Sequence, residues 1–383
     1  MASPPLVPGR DDTPTSEWSL SENKLLADIP FLTVGMIVIL LLIYAFERKL
    51  AIDIGKDGDL NLRSLIAYGA TSRDLVVGAA EWWRIGLAPL LHASSSHVFG
   101  NCIALFFVGI RLEPMIGRGW FTAIFVAAAF GGEAGSLLGN PPGIPSVGAS
   151  GAITGLVAAL FVMSFNPYAD GDQRRKMRRT ALFFGVPALL PLAWGASGGV
   201  DYFGHAGGAL AGGAIGVVLW GIWSYDSIRP NHARRAGIAA LAGVAFAMVC
   251  VGFAGSRYST HMASAKNFIG ASELPANMRD ITKRSADLLA RYPKDPRAHF
   301  FRAISLIEDR RFGDAEAALR TAMAISASDV AGGPVRSQAQ AVLAGVLAEQ
   351  GRHGEAKILA VEACRARASD PMRRELAKLK LCD

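Results

Sequence analysis

Long runs of apolar residues dominate the first two thirds of the chain, and amphipathic helical spacing takes over in the last third. Stretches without a formal charge run from Ile29 to Phe46, Ile85 to Ile110, Thr180 to Val200, Tyr202 to Tyr225 and Ala236 to Gly255. About 20 apolar residues are enough to cover the ~30 Å hydrocarbon core of a bilayer. Between these runs, Gly119 to Leu138 carries Glu133 alone, and the uncharged stretch Ala134 to Tyr168 is interrupted by NPPGIP at 140–145. The pattern predicts seven membrane helices, near 29–46, 95–112, 118–138, 148–165, 180–196, 203–224 and 236–255, with Pro187 and Pro191 interrupting the fifth.

Composition separates the chain into two parts. Charged residues make up 14% of residues 1–255 and 28% of the remaining 128, so two different solvents are implied. A hydrophobic content of 51% against 19% charged residues disfavours a wholly soluble or disordered chain. The predicted organisation is a tail over 1–28, a seven-span membrane domain over 29–255 and a soluble helical domain over 256–383. The net charge of +7 divides into +1 and +6 across these parts, which leaves no basic arm and gives no support to a nucleic-acid partner. Cys102, Cys250, Cys364 and Cys382 show no close-spaced metal pattern, so neither a zinc site nor a disulfide framework is expected. Pairing of Cys364 with Cys382 would need an oxidising compartment and stays open at this point.

Orientation follows from Lys and Arg in short loops. Arg111 and Arg118, the run RRKMRR at 174–179, and Arg229, Arg234 and Arg235 alternate with loops at 139–147 and 197–202 that contain neither. The expected arrangement has a cytoplasmic N-terminus, an uncleaved first span acting as a signal anchor, and a C-terminal region on the outer side. A bacterial plasma membrane is the expected location. The loop at 47–84 runs against the rule with six Lys and Arg, although its length weakens the rule there. RRKMRR reads as a solvated loop in contact with anionic lipid.

Spans two, four and six run in the same direction, so their N-terminal ends share one depth. His97 and Asn101 lie at the start of span two, Ser150 at the start of span four and His205 at the start of span six. A Ser hydroxyl needs a base to remove its proton, and a His nitrogen is the usual base near neutral pH. Gly204, Gly208, Gly212 and Gly216 repeat every four residues on span six, and Gly151 and Gly155 share a face of span four. Small residues at this spacing let membrane helices touch. His97 and Asn101, four apart on one helical face, would supply donors beside the Ser150 amide for an oxyanion. Each residue alone has a plainer reading: Ser150 as a packing residue in a Gly- and Ala-rich helix, His205 as an interhelical hydrogen-bonding group. His92 and His97 lack a third metal ligand at helical spacing, and His92 reads as shaping its loop. Glu133 reads equally as a proton relay, an interhelical bond or a water-facing group. Arg111 and Glu113 read as anchors.

Taken together, EWWR at 81–84, HASSSHVFGN at 92–101, RLEPMIG at 111–117, GASG at 148–151 and GHAGG at 204–208 resemble the rhomboid family of intramembrane serine proteases, over about residues 80–222. The resemblance implies a six-helix core plus one extra C-terminal span. It also implies a Ser150 nucleophile and a His205 base without an Asp, with the oxyanion held by His97, Asn101 and the Ser150 amide and Gly148 opening room beside the nucleophile. Trp83 and Arg84 would belong to an outer loop lying partly in the membrane. Thr154 departs from the family, which often has an aromatic residue there, packed near the His. The implied activity is cleavage of single-span or other membrane proteins in or beside their spans, without a cofactor. The competing reading is an inactive rhomboid-like scaffold that binds membrane-protein clients, which loss of either dyad position would have favoured. A transporter would predict repeats between the two halves of the membrane region, and none is seen.

In the last third, residues 298–323 resemble 339–364, with Ala303, Leu306, Gly313, Ala315 and Ala322 matching Ala344, Leu347, Gly354, Ala356 and Ala363, each 41 residues on. Helix, short Gly-containing turn and helix resemble tetratricopeptide repeats, whose period of about 34 requires extra residues around SDVAGGP to be looped out. A further helix at 277–291 would stack on the first pair. Such stacks offer a surface for a protein or peptide partner; the plainer reading is a helical cap on the membrane domain.

Overall fold

The computed structural model describes residues 30–51, 54–55, 58–140, 144–166, 171–189, 200–223, 229–265, 267–270, 273–328, 333–364 and 371–382. The N-terminal tail, half of the 197–202 loop, part of NPPGIP and most of SDVAGGP fall outside them. The expected all-α, polytopic architecture is what the chain adopts. The helices are α1 (Phe31–Leu50), α2 (Leu62–Tyr68), α3 (Ser95–Gly139), α4 (Ser150–Met163), α5 (Gly171–Leu189), α6 (Tyr202–Ile222) and α7 (Ala233–Ala265), then α8 (Met278–Arg291), α9 (Pro296–Glu308), α10 (Phe312–Ser328), α11 (Gly333–Glu349), α12 (His353–Cys364) and α13 (Pro371–Lys378).

Spans two and three, predicted as separate helices, are the two arms of α3. They meet at Gly117, whose φ of 78° and ψ of 160° break the helix sharply. Only a residue without a Cβ takes that conformation at no steric cost. Glu113, just before the bend, ties the arms to α1: it accepts from the amides of Leu32 and Thr33 at 3.0 and 2.8 Å and from the Thr33 hydroxyl at 2.7 Å. The anchor reading of Glu113 therefore acquires a partner, the first turn of α1.

Four helices among the described residues are long and apolar enough to cross a membrane, within Phe31–Leu50, Ser95–Gly139, Tyr202–Ile222 and Ala233–Thr260. With the rhomboid resemblance reported below, they make this an integral membrane protein. The helix at the predicted fifth span begins earlier than expected, because RRKMRR forms part of the first turns of α5 rather than a loop, and residues 190–196 of that prediction lie outside the described residues. Those residues stay mostly exposed while Met177 and Ala181 turn inward, so the charge sits on the solvent-accessible side of the helix end.

Helix α4 is the centre of the bundle. It is apolar all round and buried along its length, as a helix enclosed by others must be. It packs against α6, the second arm of α3 and α5. The glycine ladder predicted for α6 is the contact: Gly204, Gly208, Gly212 and Gly216 are its buried face. A Cβ at Gly155 would lie 2.7 Å from the Gly208 carbonyl oxygen, and Cβ atoms at Gly208 and Gly212 would collide with the Gly151 and Gly155 carbonyls. α7 lies along the second arm of α3 and presses on the 82–87 segment. There Trp82 meets Phe246 and Phe253 with ring centroids at 5.8 and 5.3 Å, and Cys250 is buried against Trp83 and Leu87.

The C-terminal helices stack in sequence order. Ala303, Ala344, Ala315 and Ala356 are fully buried at the helix crossings, as the 41-residue correspondence requires. The correspondence reaches the turns too: Arg310 and Gly351 both take positive φ, at 56° and 78°, and the following amides return to Leu306 and Leu347, each at 2.8 Å. Gly313 and Gly354 are not crossing residues; each is the second residue of its helix with open space around it. Cys364 and Cys382 are disulfide-bonded, joining the end of α12 to the tail beyond α13.

Candidate active site

The predicted residues gather where the starts of α4 and α6 meet the start of α3. Ser150 is the first residue of α4, where backbone amides have no partner within the helix and carry the positive end of the dipole. The first turns of α4 and α6 are in contact: a Cβ at Gly151 would lie 3.3 Å from the Gly204 carbonyl oxygen. At 14 residues, α4 is about 21 Å long, shorter than the ~30 Å apolar layer.

His205, 8% exposed, lies in the first turn of α6. Its Nδ1 donates to the Ala188 carbonyl at 2.9 Å, since a carbonyl can only accept. A neutral ring so held leaves Nε2 as an acceptor, the tautomer a general base needs. Tyr202 lies edge-on to the ring with centroids 6.1 Å apart. Thr154, in the position where the resemblance expects an aromatic residue, returns its hydroxyl to the Ser150 carbonyl at 2.6 Å. The support for the His205 ring thus comes from α5 and from its own helix.

His97 and Asn101 face Gly148 from α3. A Cβ on Gly148 would sit 2.7 Å from Cε1 and Nε2 of His97 and 3.6 Å from Nδ2 of Asn101, and its φ of 120° favours glycine independently. A side chain at Gly148 would therefore crowd the His97 ring. The Gly148 amide donates to the Ala88 carbonyl at 2.8 Å, which fixes the loop before Ser150. His97 and Asn101 thus stand beside the loop that leads into Ser150, and the contact of Gly151 with the Gly204 carbonyl brings the first turn of α6 to the first turn of α4.

Several neighbours were given no part in the site from sequence. His92, fully buried, accepts from Asn101 Nδ2 at 2.9 Å and stands edge-on to His97 at 5.1 Å. Its amide reaches Glu47 of α1 at 3.3 Å. The five-residue spacing of His92 and His97 was the available signal, and a loop at that spot hid it. Arg84, fully buried, donates to the carbonyls of Ile66 and Ala70 at 2.6 and 3.1 Å and pairs with Glu81 at 2.7 Å, so it organises the 62–87 segment. Glu133 accepts from the Thr71 hydroxyl at 2.6 Å. A small cavity beside Ser150 is lined by Glu133, Ser136, Ser146, Gly148 and Asp201. Among the described residues, no group of three or more His, Cys, Asp or Glu is arranged to hold a metal ion.

A bundle of apolar helices with a Ser, two His and an Asn at their starts defines a polytopic membrane protein with a candidate hydrolytic centre. Residues 79–222, the part that builds this centre, match the family model of the Rhomboid domain. The chain is 33% identical over 156 residues to rhomboid protease GluP of Bacillus subtilis (strain 168), covering 40% of this chain and 29% of that protein. It is 35% identical over 156 residues to RHOMBOID-like protein 1 of Arabidopsis thaliana, covering 41% of this chain and 39% of that one. To rhomboid protease AarA of Providencia stuartii it is 28% identical over 207 residues, covering 49% and 71%. The likeness to the first two spans well under two thirds of their lengths. No solved structure matches the chain. These similarities support the rhomboid family for the matched segment.

Proposed function

We propose that the protein is an intramembrane serine endopeptidase acting on single-span or other membrane proteins in or beside their spans. Ser150 attacks the scissile carbonyl and His205 accepts its proton through Nε2, then returns it to the leaving amine. His97, Asn101 and the Ser150 amide stabilise the oxyanion, in room that Gly148 leaves. The observation that carries the reading is the His205 Nδ1 bond to Ala188, which supplies the base tautomer beside the first turn of α4. Membrane lipid surrounds the bundle, and no cofactor enters the mechanism.

The C-terminal helices form a tetratricopeptide-like module on the outer side, with the N-terminus cytoplasmic, and this module binds a protein or peptide partner. The Cys364–Cys382 bond favours an oxidising compartment for it. The membrane domain extends over 29–255 and the soluble region over 256–383, in a bacterial plasma membrane.

The test is cleavage of a single-span reporter in liposomes by wild type, Ser150→Ala and His205→Ala proteins of equal folded content. Cleavage by wild type alone supports the dyad. If wild type cuts none of several varied reporters and a serine-reactive phosphonate leaves Ser150 unlabelled, the inactive scaffold becomes the better reading.

A further inference from the structure

The segments that present Ser150 and His205 converge on one carboxylate, and we propose that Asp201 is a positioning residue that sets the spacing between them. The inference deepens the dyad reading above and rests on it. Asp201 directly precedes α6. Its carbonyl accepts the amide of His205 at 3.0 Å, and its Oδ1 accepts the amide of Gly204 at 2.8 Å, capping the helix. Its Oδ2 accepts from two hydroxyls, that of Ser136 on the second arm of α3 and that of Ser146 at 2.5 Å.

Ser146 stands four residues before Ser150, and its backbone pairs in both directions with Thr71, at 3.0 and 2.7 Å. Thr71 in turn donates to the buried Glu133. One side chain thus joins the helix of His205, the loop that delivers Ser150 and the arm of α3 behind both. A helix cap needs a single acceptor oxygen, which Ser, Thr or Asn would supply equally well. The second oxygen has no capping role, and only a carboxylate offers both without a donor. Asp201 does not bond the imidazole, whose Nδ1 is taken by Ala188. It acts by placement, and a displacement of 1 Å between reacting groups costs about 100-fold in rate.

Asp201→Ser keeps a capping oxygen but cannot also reach Ser146, whereas Asp201→Asn keeps the cap and an amide against the two hydroxyls. The experiment compares wild type, Asp201→Ser, Asp201→Asn and Ser146→Ala as full chains in liposomes. It measures kcat and KM on the reporter and hydrogen exchange of 144–149 and 202–210. The expected result for Asp201→Ser is a kcat lower by about 10-fold or more with KM within about twofold, faster exchange at 144–149 and unchanged exchange at 202–210. Ser146→Ala moves the same way and Asp201→Asn recovers most of the rate. Unchanged exchange at 144–149 in both Asp201→Ser and Ser146→Ala overturns the proposal, as does an unchanged kcat in an active background. A wild type that cuts no reporter removes the protease reading instead, and the exchange data then decide the tie by themselves.

Discussion

The side-chain amide of Asn101 donates to Nε2 of His92 at 2.9 Å, in a site where His92 is fully buried. One N–H of Asn101 is thereby spent on orientation and the other is left to face the Gly148 side. His92→Ala would free the Asn101 side chain to rotate. Loss of a whole oxyanion donor costs roughly 100- to 1,000-fold, so loss of its orienting partner is expected to lower kcat by about 10-fold, with KM little changed. Steady-state cleavage of the reporter, with Asn101→Ala alongside, checks this; His92→Ala on an Asn101→Ala background should add little.

Gly148→Ala combines a strained φ with a Cβ placed 2.7 Å from the His97 ring. Either the ring or the loop before Ser150 has to move. Phosphonate labelling of Ser150 should slow by about 100-fold or more, the order expected for a displacement near 1 Å. A variant that labels at the wild-type rate would remove both His97 and Gly148 from the oxyanion site.

Gly208→Val tests the helix contact rather than the chemistry. Its side chain would drive into the Gly151 carbonyl on α4. Overpacking of this kind costs about 1–3 kcal/mol and, against backbone, more. Thermal unfolding in detergent should shift downward, whereas Gly252→Val, at a site with no neighbour within 4 Å of the added atom, should leave it unchanged.

The Cys364–Cys382 bond closes a loop with a sequence separation of 18. A cross-link of that length contributes about 3 kcal/mol when the native geometry carries it without strain. Cys382→Ser, or mild reductant, should make residues 353–382 cleave faster under limited proteolysis while reporter cleavage by the membrane part continues. Isolation of the protein with this pair reduced from intact cells would count against an outer location for the region.

Acid should loosen the tie between α10 and the turn that leads into α12. Hydrogen bonds from Arg320 and Arg352 hold the Glu316 carboxyl below the usual carboxylate range. A group depressed in this way stabilises the fold above its unfolded pKa, near 4.3, and loses that contribution as pH falls through the folded value. Because both arginine partners are exposed, the effect is small and salt-sensitive. Hydrogen exchange over 312–364 should rise below about pH 4, and Arg352→Ala should flatten that dependence.

Much of this was legible along the chain because bilayer and helix each impose a one-dimensional signal. Charge-free runs marked the spans, the four-residue spacing from Gly204 to Gly216 marked the contact face of α6, and the 41-residue correspondence marked the stacked pairs. The start of α5 was misplaced, since charge was read as loop although a helix tolerates charged turns outside the apolar layer. The pairing of Cys364 with Cys382 stayed open, because spacing alone says nothing of how α13 folds back.

What the sequence determined by itself was which residues share a helix face and a depth, and hence that Ser150, His205, His97 and Asn101 are candidates for one site. What only the tertiary structure decided was how they are held: the carbonyl of Ala188 on His205, His92 behind Asn101, and Asp201 between Ser136 and Ser146. Periodicity is local, fixed by backbone geometry within a few residues. A hydrogen bond across 55 or 65 residues of chain depends on how whole helices dock, and no spacing within a single element records that.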